Sequence, residues 1–142
     1  MEKSTKELLE EMKSSRNYDA YLAVNRDSIG AGAMRLDRAL DALLAEKKKS
    51  KAEVIARSGI ETHYAYQIFS GAKTPTRDKV VMLCFGLGLS ESETERLLKI
   101  TGYAQLYAKD ERDNVLLFGL TKKLSVIEVN GLLYDLGLDL LT

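Results

Sequence analysis

The 142-residue sequence predicts an all-α fold on three observations. Pro75 is its single proline, and runs rich in Val, Ile and Thr, the mark of strands, are scarce. Leu, Ala, Glu and Lys dominate, residues that lose little side-chain freedom in a helix. The pattern Ser-x-x-Glu occurs at Ser50–Glu53, Ser90–Glu93 and Ser125–Glu128, each time ahead of an apolar-periodic run. In such a capping box the serine accepts from the third helical amide and the glutamate reaches back, so three helix starts follow.

Taken in order, "MEKSTKELLEEMKS" reads as a short amphipathic helix with Leu8, Leu9 and Met12 on one side. "NYDAYLAVNRDSI" sets Tyr18, Tyr21, Leu22 and Val24 at helical spacing. "GAGA", Gly30 to Ala33, is the expected break. "MRLDRALDALLAEKKK" then lines up Leu36, Ala39, Leu40, Leu43 and Leu44, with lysines suiting the helix C-terminus. "TRDKVVMLCFGLGL" reads as a mostly buried helix ending at Gly86 or Gly88, and "ETERLLKITGYA" as one ending at Gly102. Another starts on Asp110, and "VIEVNGLLYDLG" ends at Gly137. Eight or nine short helices are expected. They divide into an N-terminal extension (1–33), a central domain (34–100) and a C-terminal helical extension (101–142) that completes the core and offers a dimer contact.

Composition narrows the function. The length suits one domain of ~100–150 residues, or one with an extension. Cys84 stands alone in "VVMLCFGLGL", so no internal disulfide is possible and a reduced packing residue is expected. There is no signal peptide and no apolar run near the ~18 residues of a membrane span, so a cytoplasmic protein that does not enter a membrane is expected. With one histidine and one cysteine, no metal cluster of usual spacing assembles. No Gly-rich phosphate loop follows a strand. Paired acids such as Asp110 and Glu111, or Glu91, Glu93 and Glu95, fall where helix capping explains them. No catalytic residue, metal or cofactor is expected.

The formal net charge is zero, but it is segregated. Residues 1–46 carry −2, residues 47–79 carry +5 and residues 80–142 carry −3. Phosphates respond to the local field, so overall neutrality does not exclude nucleic acid.

The basic third holds "SKAEVIARSGIETHYAYQIFS". Ser50 caps a helix at about 51–58 that turns Val54 and Ile55 inward. Gly59 ends it with the positive φ that a tight turn needs, and Ile60 plugs the corner. A second helix at about 62–69 faces the first through Ala65 and Ile68. Glycine in the turn with apolar residues on both sides describes a helix-turn-helix.

From Gly59–Ile60 through Gln67–Ile68, Gly71, Lys73 and Pro75 to "GLGLS", the run resembles the lambda-repressor/Cro-like, or XRE, family of bacterial transcriptional regulators. The resemblance covers about Leu36 to Leu98, under half the chain. The flanks are similar to the extensions of a subgroup found in Gram-positive bacteria. Two departures stand out. The family usually has alanine at the position of Ile55 and a β-branched residue at that of Ala65. The exchange of large and small keeps the volume constant if the two side chains touch. Glu61 stands where Ser or Thr is common, and either caps the second helix or accepts from a cytosine amino group.

The resemblance implies a lambda-repressor-like bundle with its second helix in the major groove of double-stranded DNA. Carried over by position, Thr62, His63, Tyr66 and Gln67 read bases. Gln67 suits adenine and Thr62 a thymine methyl. His63 can donate to guanine, although an isolated histidine on a helix otherwise reads as a solvent-exposed residue. Ser50, Lys51, Tyr64, Lys73 and Thr74 are implied to meet phosphates. Lys47, Lys48, Lys49 and Arg77 add positive field. One helix spans few base pairs, so a homodimer is expected, with "NVLLFGL" and "NGLLYDLGLDLLT" split between core and partner surface. The rival is an adaptor that has lost DNA reading and uses the same scaffold to dock a protein partner. Neutral net charge, Glu61 and the tyrosines fit that reading.

Overall fold

A computed structural model describes residues 3–25 and 33–142, which fall into two compact units, Met1–Met34 and Arg35–Thr142. Every element among the described residues is a helix, so the fold class is all-α. No helix among them is long and apolar enough to cross a membrane.

The first unit holds α1 (Thr5–Ser14) and α2 (Tyr18–Asn25). The Ser4 hydroxyl caps α1 by accepting from the Glu7 amide at 3.2 Å. Asn17 does the same for the Ala20 amide at 2.9 Å, and Lys3 pairs with Glu11. Leu9 and Met12 are exposed and Leu8 is half-buried, so the apolar side of α1 carries no buried residue. The side chains of Leu22 and Val24, and the break expected from Gly30, lie outside the described residues except for Ala33.

The second unit runs α3 (Leu36–Lys47), α4 (Lys51–Ser58), α5 (Thr62–Ser70), α6 (Arg77–Leu87), α7 (Glu91–Ile100), α8 (Glu111–Thr121) and α9 (Val126–Asp135). All three expected capping boxes are closed. Ser50, Ser90 and Ser125 each accept from the amide three residues on at 3.1 Å. Their own amides donate to Glu53, Glu93 and Glu128 at 3.2, 2.9 and 3.1 Å. Asp110 caps α8 by accepting from the Asp113 amide at 2.9 Å.

The central helix is α6, buried continuously from Val80 to Cys84 and again at Gly86 and Leu87. It ends at Gly88, the later of the two expected glycines. Its tightest partner is α4: a Cβ at Gly86 would sit 2.4 Å from the Val54 carbonyl, so only glycine lets the two backbones approach. Burial lifts the Cys84 thiol to about 12, which keeps it protonated and inert.

Residues 101–142 belong to this same unit. Adjacent residues at the start of α6 pair with adjacent residues of α8. Arg77 forks onto Asp113 at 3.2 and 2.7 Å, and Arg112 forks onto Asp78 at 2.9 and 2.7 Å. Arg112 also donates to the carbonyls of Asp139 and Leu140, and Asn130 bonds both the amide and the carbonyl of Leu141. The tail is thereby laid back on α8 and α9, with Leu141 buried.

Candidate nucleic-acid interface

α4 and α5 meet at Gly59, whose φ of +76° lies in the left-handed region. Ile60 is buried beneath the turn, and Val54, Ile55, Ala65, Ile68 and Phe69 form the core between the two helices and their neighbours. Glu61 caps α5, its carboxylate accepting from the His63 amide and, at 3.2 Å, from the Tyr64 amide. Of its two sequence readings, the capping role is the one present.

At 100° per residue, Thr62, His63, Tyr66, Gln67 and Ser70 fall within an arc of roughly 140° on α5. All are exposed except Gln67, which is half-buried, and Tyr66 keeps 43% of its surface. The opposite arc, Ala65, Ile68 and Phe69, is buried. The four expected base-reading side chains therefore share one outward face. Ser70, four residues after Tyr66, shares it too. Its hydroxyl donates to the Gln67 carbonyl at 3.1 Å.

The expected phosphate contacts are placed less uniformly. Lys73 and Thr74 are exposed in the loop after α5, and the Lys73 amide donates to the Gln67 carbonyl at 3.2 Å. The Lys51 ammonium lies 5.9 Å from the Phe69 ring centroid, beside the last turn of α5. Ser50 spends both its amide and its hydroxyl on Glu53, which leaves neither donor free for a phosphate. Tyr64 is half-buried against the core, with the Lys79 ammonium 5.4 Å from its ring.

The basic field is smaller than the local charge count implies. Lys47 pairs with Glu93, whose carboxyl is pulled down to about 2 by that ammonium first and by the Ser90 amide second. Arg77 is held by Asp113. The Lys49 ammonium donates to the Leu87 carbonyl at 3.0 Å, at the negative end of α6. Lys48, Lys51 and Lys73 stay exposed.

The apolar sequences of α8 and α9 divide clearly. Val115, Leu116, Leu120, Val129 and Leu133 are core, whereas Phe118, Ile127, Tyr134 and Leu136 are exposed, Ile127 at 84%. Among the described residues no three His, Cys, Asp or Glu side chains gather as a metal site. No family model, curated protein or solved structure matches the chain.

Proposed function

We propose that this chain is a sequence-specific, DNA-binding transcriptional regulator of the XRE kind, acting in the cytoplasm without catalysis or a cofactor. α4 and α5 are its helix-turn-helix, set in a lambda-repressor-like bundle, and α5 enters the major groove. One observation carries the reading: Thr62, His63, Tyr66 and Gln67 share the outward face of a short helix whose inward face is locked in the core. Gln67 pairs with adenine, Thr62 meets a thymine methyl, and His63 donates to guanine, with Tyr66 beside them. Lys51, beside Phe69, and Lys73 and Thr74, in the loop after α5, take phosphates. Ser50 and Tyr64 contribute less, because their polar groups or faces are turned to other work.

The regulator binds as a homodimer, since one α5 covers too few base pairs for useful discrimination. Exposed Phe118, Ile127, Tyr134 and Leu136 support a partner surface on α8 and α9. Those same side chains favour the second reading, an adaptor that docks another protein and reads no DNA. Fluorescence anisotropy separates the two. A DNA reader binds duplex at low salt and loses affinity steeply as salt rises, by a slope of about 0.9 per phosphate neutralised. No binding at low salt, with Lys51→Glu changing nothing, would leave the adaptor. A genome-wide footprint then supplies the operator.

A further inference from the structure

The loop that carries Lys73 and Thr74 has two differently made ends. Its start is held from within the helix pair, by Gly71 donating to the Ile68 carbonyl at 3.1 Å and Lys73 to Gln67 at 3.2 Å. Its end is held by the strap between α7 and α8. The Tyr103 hydroxyl donates to the Pro75 carbonyl at 2.6 Å. Two residues on, the Gln105 carbonyl accepts from Arg77 at 3.2 Å. The Tyr107 amide donates at 2.9 Å to Asp113, the same carboxylate that grips Arg77. The strap thus takes hold on both sides of Thr76.

Two features make this hold effective. The Pro75 ring is buried and fixes its own φ, and it confines Thr74 to extended backbone. Burial, and to a lesser degree Tyr64, push the Tyr103 hydroxyl above its ordinary value, which further favours its protonated, donating form.

We infer that Tyr103 is a positioning residue for DNA, holding the Pro75 carbonyl so that Lys73 and Thr74 are presented to phosphate in a preset geometry. This rests on the DNA-binding reading above. Tyr103 itself touches no nucleic acid in this scheme. It spares the loop the ordering that binding would otherwise demand, so it acts on phosphate affinity and not on base choice.

Tyr103→Phe removes the donor and keeps the ring. Anisotropy titrations should show it weakening cognate and random duplex alike, roughly fivefold, the cost of ordering the freed loop on binding. In a Lys73→Ala background the same change should cost less than about twofold, because the charged one of the two positioned groups is gone. Amide exchange in the free protein is the second readout: the Lys73 amide should exchange faster in Tyr103→Phe while amides within α6 do not. Wild-type affinity and an unchanged Lys73 amide in Tyr103→Phe would overturn the inference and leave the DNA reading intact. An undiminished loss in the Lys73→Ala background would make Tyr103 a general stabiliser and overturn it too. Failure of the unaltered protein to bind any duplex at low salt would remove the DNA reading, and this inference with it.

Discussion

The Lys73 amide donates to the Gln67 carbonyl across 3.2 Å, so the backbone of an expected phosphate contact is fixed to that of an expected base reader. In the proposed DNA reading, the two side chains have different work. Gln67 points from the α5 face, and Lys73 from the loop.

Gln67→Ala should therefore cost cognate DNA ~1–3 kcal/mol and leave random duplex nearly unchanged. Lys73→Ala should weaken both alike and lower the salt slope by about one. Equal losses on both duplexes for the two variants would refute this division of labour.

The two Arg–Asp forks differ in burial, which ranks their worth. Asp113 is only 4% exposed and also accepts from Tyr107, so Asp113→Ala leaves Arg77 and an amide without their acceptor. Loss of ~2–4 kcal/mol is expected in urea unfolding. Asp78 is more open, its side chain 25% exposed against 6% for that of Asp113, and Asp78→Ala should cost ~1–2 kcal/mol. The reverse order would show that the strap does not depend on the buried carboxylate.

Glu93 makes stability pH-dependent in a definite window. Its folded carboxyl is lowered from 4.5 to about 2, by the Lys47 hydrogen bond first. The unfolded chain thus takes up the proton before the folded one as pH falls. The contribution is present above about 4.5 and is lost as pH drops towards about 2. Solvent screening at a side chain 33% exposed holds it to ~1 kcal/mol. Unfolding followed from pH 6 down should show a shallower acid limb in Glu93→Gln; an unchanged limb would count against the Lys47 pair.

Ile55 and Ala65 are both core residues of the α4–α5 pair. Ile55→Ala should cost ~2–4 kcal/mol through the cavity it leaves, and Ala65→Val ~1–3 kcal/mol through overpacking. If the two side chains meet, the double variant recovers part of the sum. Strict additivity in denaturant midpoints would mean they do not.

The helix starts at Ser50, Ser90, Ser125 and Asp110, the positive φ of Gly59, and the inward faces of α3, α4 and α5 were all legible in the linear sequence. Each is a contest among groups no more than four residues apart, settled by capping, backbone sterics and the 3.6-residue turn. The outward arc of α5 came with them, once Ala65 and Ile68 had to face in. Packing decided the rest. Lys47 and Arg77 looked like free positive charge until the fold brought Glu93 and Asp113 to them. The apolar residues of α8 and α9 separated into core and surface only when the helices found their neighbours. The reason is physical: an ion pair or a strap such as Tyr103–Pro75 depends on the angle and register of helices distant in sequence, and many combinations of residues would have satisfied the local pattern equally well.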